Sequence, residues 1–167
     1  YKSVEAVKNG KPVPEDGYHG DYVVQLAASD EDALEQVIAI QKKTLNNLGA
    51  KFDTWFSEKR LHKSGEVEKA IQLLKSKELT YEKENALWFK SSDFGDEKDR
   101  VLVKSDGAYT YFVVDIAYHL NKIERGFGKL VNIWGADHHG YIARMRAGVA
   151  AVGGEQFLQE DNFVILI

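Results

Sequence analysis

The sequence predicts an α/β fold: a parallel half-sheet with flanking helices that carries an inserted α+β segment built around a hairpin. Three observations predict it. Short apolar runs of strand length, Lys129–Trp134 and Phe163–Ile167, alternate with stretches of helical period in the last third of the chain. Ser105-Asp106-Gly107 stands between two further strand-like segments as a hairpin signal. Two amphipathic helical patterns precede all of these.

In chain order, Tyr1–Gly20 holds both prolines and several glycines and reads as a loop after an irregular start. A short helix follows over Tyr22–Ala28. Ser29-Asp30-Glu31-Asp32 offers a cap and acidic residues for a helix N-terminus, and Leu34, Val37, Ile38, Gln41, Leu45 and Leu48 recur at helical spacing until Gly49. Phe52–Phe56 alternates as a strand. Ser64-Gly65-Glu66-Val67 opens a second amphipathic helix that carries Ala70, Ile71 and Leu74. Tyr81–Glu84 reads as a turn, Ala86–Lys90 as a strand, and Ser91–Asp99 as an acidic loop.

Arg100–Lys104 and Ala108–Phe112 flank the Ser105-Asp106-Gly107 turn, where glycine supplies the positive φ that such turns demand. The period turns helical from Val114 to Arg125, with Ile116, Ala117, Leu120 and Ile123 on one side, and Gly126 and Gly128 end it. Lys129–Trp134 is then a buried strand, His138–Val152 a helix closed by Gly153-Gly154, and Phe163–Ile167 a last buried strand. Strand, helix, strand, helix, strand makes a parallel half-sheet with crossover connections.

The size of the chain, 167 residues, suffices for a real core, and 44% hydrophobic content with eight Phe, eight Tyr and three Trp excludes a disordered class. A net charge of -4 with both signs interspersed excludes a broad basic surface for nucleic acid. The absence of cysteine rules out disulfides and thiolate metal sites. No apolar run has membrane-spanning length, and no signal segment opens the chain, so the expectation is a cytoplasmic monomer with no membrane partner. The chain starts at Tyr1 without Met and stops inside an apolar run, so we read it as a piece of a longer polypeptide.

Ligands of parallel α/β sheets collect at the carboxyl ends of the strands, and two stretches fall at such ends. In the first, Tyr111 closes a strand and Asp115 lies in the first turn of the next helix. A carboxylate there suits a cation, and a guanidinium best, because it can bond both oxygens. The plainer alternative, that Asp115 complements the helix dipole and Tyr111 is core, is favoured by spacing alone. In the second, Gly135-Ala136-Asp137 follows a strand and opens a helix, where a ligand can approach the backbone and a carboxylate can accept a ribose hydroxyl; Asp137 as a plain cap fits equally well. His138 and His139 point apart at a helix start and lack a third ligand, so no metal site is expected. His119, on the helix one turn after Asp115, reads as structural, since no Ser or Cys nucleophile is paired with it. No catalytic side chain is assigned.

Longer blocks carry a resemblance. Phe52-Asp53-Thr54-Trp55-Phe56-Ser57-Glu58, Thr80-Tyr81-Glu82-Lys83, the run from Ala86 to Gly107, and Asn132-Ile133-Trp134-Gly135-Ala136-Asp137-His138-His139-Gly140-Tyr141 resemble, in order, the bacterial arginyl-tRNA synthetases. The likeness extends from about Pro14 to Gly153. It implies part of a Rossmann-type class I synthetase catalytic domain, which condenses L-arginine with ATP to arginyl-adenylate and passes the arginyl group to tRNA(Arg), with Mg2+ in the full-length enzyme. It further implies residues 1–50 as a helical lead-in, 51–104 as an inserted α+β segment and 105–167 as the second-half Rossmann-type unit.

By the same resemblance, Tyr111 and Asp115 contact arginine, and Gly135, Ala136, Asp137 and His138 lie at the ATP. Val113-Val114 stand where family members have Thr-Pro, which removes a cap and a first-turn proline. The class signatures His-Ile-Gly-His and Lys-Met-Ser-Lys-Ser are absent from the chain, so the piece is expected to be inactive alone. A truncated, non-catalytic paralogue serving as a binding module is the alternative reading.

Overall fold

The computed structural model describes residues 1–157, 159 and 162–166. These form two compact units, Tyr1–Trp55 and Phe56–Ile167. Leu158, Glu160, Asp161 and Ile167 lie outside the described residues, so the last strand is known only to Leu166.

The first unit is helical: α1 (Lys2–Lys8), α2 (Asp21–Ala27) and α3 (Ala33–Asn47). Its small core is Val4, Val23 and Leu26, against which Val7, Ala27, Ala33 and Val37 pack. The first turn of sequence is therefore not the expected loop. Val4 and Val7, three residues apart, give α1 an apolar edge too short for a periodic signal. The cap of α3 is Asp32 rather than Ser29, its carboxylate accepting from the backbone N–H groups of Leu34 (2.9 Å) and Glu35 (3.2 Å). Gly49 ends α3 with φ +82°. Phe52–Phe56, expected as a strand, is irregular. Phe52 and Trp55 meet edge to face at 5.6 Å instead of pairing in a sheet.

The second unit begins with α4 (Glu58–Lys63), a helix the sequence reading missed, and continues with α5 (Glu66–Ser76). α5 buries Val67, Ala70, Ile71 and Leu74, the stripe its period predicts. β1 (Thr80–Lys83), β2 (Ala86–Phe89) and β3 (Arg100–Val103) form an antiparallel sheet in the order β1-β2-β3. Tyr81–Glu84 is thus mostly strand and not a turn. The turn is Glu84-Asn85, both with positive φ (55° and 58°), the conformation that matches strand twist in a two-residue hairpin.

The Ser105-Asp106-Gly107 turn forms, with Gly107 at φ +82° and the Ala108 carbonyl accepting from Lys104 N–H at 2.9 Å. Its second arm is a single bridge, Val103 to Tyr109, and the chain turns helical at Tyr111. Residues 108–112 therefore do not form a third parallel strand. Phe112, Val113 and Val114 are apolar enough to be drawn into the core as the first turn of α6 (Tyr111–Glu124). The parallel sheet is β4 (Leu130–Ile133) with β5 (Phe163–Leu166), in register Leu130 to Phe163 through Ile133 to Leu166. The helix expected over His138–Val152 divides into a 3-10 turn, Ala136–Tyr141, and α7 (Ile142–Gly153).

One core serves this unit: Leu61, Leu74, Phe89, Leu102, Phe112, Ile116, Met145, Val149, Phe157 and Phe163 are among its buried side chains. α6 and α7 approach closely where Gly148 leaves room. A Cβ on Gly148 would sit 2.6 Å from an Ile116 side-chain carbon. The acidic loop is pinned by Asp96, which is buried, takes a bidentate pair from Arg100 (2.7 and 2.6 Å) and accepts from the Ser91 hydroxyl (3.1 Å). No helix among the described residues is long and apolar enough to cross a membrane.

Candidate functional site

Two segments, the start of α6 and the turn after β4, meet at one carboxylate. Asp115 lies one turn into α6. Its Oδ2 accepts a hydrogen bond from the Tyr141 hydroxyl at 2.8 Å, and Oδ1 has no hydrogen bond to a described residue. Tyr141 closes the 3-10 turn that begins at Ala136, so the two ligand loops read from the sequence are joined here through a phenol. Burial pushes the Asp115 carboxyl above its ordinary range and the Glu58 charge adds to it; the Tyr141 hydrogen bond and the Lys122 and His138 charges pull the other way.

A cavity of about 280 Å3 opens beside Asp115, lined by Phe56, Glu58, Leu61, Val114, Asp115 and Tyr118. Two carboxylates and the rings of Phe56 and Tyr118, tilted by 30° with centroids 4.5 Å apart, make a wall suited to a flat cation, which can be paired at its edge and covered on its face. Glu58 and Tyr118 were not singled out from the sequence. The available signal was the helical spacing of Tyr118 from Asp115, three residues on.

Tyr111, the other sequence candidate at this end, is the first residue of α6 and is 82% exposed. It is not a core residue. The phenol bonded to Asp115 is that of Tyr141.

Behind Asp115 runs a buried polar chain. The Asp115 backbone carbonyl can only accept, so His119 Nδ1, 2.7 Å away, carries the proton. His119 Nε2 is then the acceptor for the Asn132 amide at 2.8 Å, which turns Asn132 Oδ1 toward Lys122 Nζ at 3.4 Å. Burial pushes the His119 imidazole down to about 4, with Lys122 adding to the effect, so the ring is neutral. Burial also lowers the Lys122 ammonium, against the pull of Asp115. His119 is thus the satisfied structural histidine expected from sequence, and Asn132, on the inward face of β4, is its partner.

At the other end, Gly135 precedes the 3-10 turn with φ −72° and ψ 156°. The Asp137 carboxylate folds back over it, and a Cβ on Gly135 would lie 2.5 Å from Asp137 Oδ1. Residues 135–140 are all exposed. His138 Nε2 is 3.7 Å from Asp137 Oδ2, and its ring lies 5.9 Å from that of Trp134. Gly135, Ala136, Asp137 and His138 therefore form an open shelf of backbone and polar groups in the turn whose last residue, Tyr141, bonds Asp115. His139 is exposed beside it. Among the described residues no group of three or more His, Cys, Asp or Glu is placed to hold a metal ion.

The family described as tRNA synthetases class I (R), catalytic domain, matches residues 15–157. An arginine–tRNA ligase of Bacillus subtilis (strain 168) is 42% identical over 98% of this chain and 33% of its own length. Arginine–tRNA ligase 1 of Halalkalibacterium halodurans is 45% identical over 91% of the chain and 31% of its own. A crystal structure of a protein assigned as an arginyl tRNA synthetase from Campylobacter jejuni superposes with a TM-score of 0.85 at 34% identity, covering 99% of this chain and 41% of that one. The chain spans about a third of the length of the curated relatives it matches.

Proposed function

The chain belongs to the family of class I arginyl-tRNA synthetase catalytic domains, and from that premise we propose that it forms part of an enzyme that activates L-arginine with ATP and transfers the arginyl group to tRNA(Arg). The observation that carries the reading is the half-buried Asp115 carboxylate at a cavity it shares with Glu58, Phe56 and Tyr118, in a chain matched over residues 15–157. The Lys122 ammonium lies 4.2 Å from the Tyr118 ring centroid, and the two carboxylates of the wall outnumber it, so the wall suits a further cation. The arginine guanidinium, planar and permanently charged, meets a carboxylate edge and an aromatic face at once.

In this reading Asp115 and Tyr111 contact arginine, and the shelf Gly135, Ala136, Asp137 and His138 receives ATP, with the Asp137 carboxylate accepting a ribose hydroxyl. ATP supplies the leaving group for adenylate formation. This chain's residues bind, orient and exclude water, which is where catalysis without a protein nucleophile gains its rate. Mg2+ belongs with the ATP phosphates. The donor set described here does not fit a metal, and no step of this chain runs through one. Residues 1–50 serve as a helical lead-in, 51–104 as an inserted segment and 105–167 as the second half of the domain. The enzyme is read as cytoplasmic, and this piece of it as monomeric by itself.

The test is pyrophosphate exchange by the complete gene product that carries this chain. Exchange should depend on arginine and be stimulated by tRNA; exchange with another amino acid and not arginine overturns the reading. Asp115→Ala should raise the arginine KM roughly 10- to 100-fold while moving the ATP KM far less, since a charge-assisted hydrogen bond to the guanidinium is lost. An unchanged arginine KM would show that the carboxylate does not hold the substrate.

A further inference from the structure

We propose that Tyr141 is a positioning residue for the Asp115 carboxylate: clamped on three sides, it holds Oδ2 from the side of the 3-10 turn and leaves Oδ1 to a guanidinium. The inference rests on the arginine reading above and adds a residue to it. Twenty-six positions separate Tyr141 from Asp115, so nothing local in the chain brings them together.

The ring has little freedom to swing. Phe112 meets it edge on at 6.3 Å, Trp134 packs at 5.7 Å, and the Arg144 guanidinium carbon lies 5.1 Å from its centroid. Such a ring needs no carboxylate to be stable where it is. The benefit of the hydrogen bond falls to Asp115, whose charge would otherwise be taken out of water with no hydrogen bond to a described residue. One donor satisfies one oxygen. The other oxygen then offers the guanidinium a fixed acceptor in place of a rotor that must be frozen on binding, which is how a pre-set side chain raises affinity.

Tyr141 is also suited to remain a donor. Burial and the neighbouring Asp115 charge both push its phenol well above the ordinary range, so it does not ionise at any pH the protein meets. The groups facing Asp115 are Glu58 from α4, Lys122 from its own helix, and His138 and Tyr141 from the segment after β4. Arg144 stands behind the Tyr141 ring, and its Nε is buried without a hydrogen-bond partner among the described residues. Of these groups, Tyr141 alone has a hydrogen bond to the carboxylate.

The experiment is Tyr141→Phe in the complete gene product, read by arginine-dependent pyrophosphate exchange from pH 6 to 8.5, with melting temperature as a check that the ring still packs. The arginine KM should rise roughly 10- to 100-fold with kcat and ATP KM held within about threefold, as for a lost hydrogen bond to a charged group. The acid limb of kcat/KM for arginine should move to higher pH, because removing the donor makes the carboxylate easier to protonate.

In an Asp115→Ala background, where the acceptor is gone, Tyr141→Phe should add nothing further to the arginine KM, since the cycle isolates the pair. An unmoved arginine KM and acid limb, with Asp115→Ala still raising the arginine KM, overturns the positioning role and leaves the arginine reading standing. Equal losses in kcat and both KM values mark a packing role and overturn it too. If the wild type never depends on arginine, both readings fall together.

Discussion

The neutral, buried His119 makes a prediction whose size follows from the structure. The imidazole sits at about 4 in the folded chain against 6.5 when exposed, because burial and Lys122 disfavour its charged form. The folded state therefore binds fewer protons than the unfolded one, and stability falls as pH drops from above 6.5 toward 4. At 1.36 kcal/mol per pH unit the full loss is about 3 kcal/mol, of which about 2 kcal/mol falls between pH 7 and pH 5. That is a large part of a domain stability of about 5–15 kcal/mol. Urea denaturation of the chain at pH 7 and pH 5 measures it directly. His119→Gln removes the titrating group, so the variant should be the less stable protein at pH 7 but should lose about 2 kcal/mol less on going to pH 5. The other four histidines are exposed and present in both proteins, so they cancel in the comparison. Equal acid losses in wild type and variant would show that His119 is charged or accessible in the folded chain, and the tautomer argument through Asn132 would fail with it.

Two further outcomes follow from the packing. Arg100→Ala strips the buried Asp96 of its bidentate partner while leaving the carboxylate inside, and should cost about 3–5 kcal/mol by denaturant melting; a loss under about 1 kcal/mol would mean the pair is solvated. Gly148→Ala gains roughly 1 kcal/mol of helix propensity yet forces a methyl against Ile116, so a net loss of up to about 2 kcal/mol is expected, and a stabilised variant would show that α6 and α7 have room to part.

Elements with a strong period and a buried face were legible in the chain. α5 is the clearest case, its Val67, Ala70, Ile71 and Leu74 forming one stripe, and the β4 run Leu130–Ile133 is another. Elements that depend on a partner were not. β1 reads as turn because Tyr81-Glu82-Lys83 is polar, and it becomes a strand only by pairing with β2. Residues 108–112 read as a strand and lose that form because α6 gains more by burying Phe112 and Val113. Asp115 stood out as a carboxylate early in a helix and Tyr118 lies three residues on along it, whereas Tyr141 and Glu58 reach it through tertiary packing that no spacing encodes. One signal was present and unused: Asn132 occupies an inward position in an apolar strand, and a buried amide there requires a partner.

Asp115 and His119, both on α6, differ in how completely they are paired. His119 has both ring nitrogens bonded, to the Asp115 carbonyl and to Asn132, so its burial is accounted for within the chain and it asks for nothing further. Asp115, four residues earlier, has one oxygen bonded and one without a partner among the described residues, at the mouth of a cavity with a second carboxylate. A buried network left half satisfied costs stability, and such a cost persists where a ligand completes the network. Asp115→Asn tests the distinction: by removing a desolvated charge it should leave the chain as stable or more so at pH 7 while arginine binding is lost, the opposite pattern to His119→Gln, which should lower stability and touch arginine affinity only indirectly.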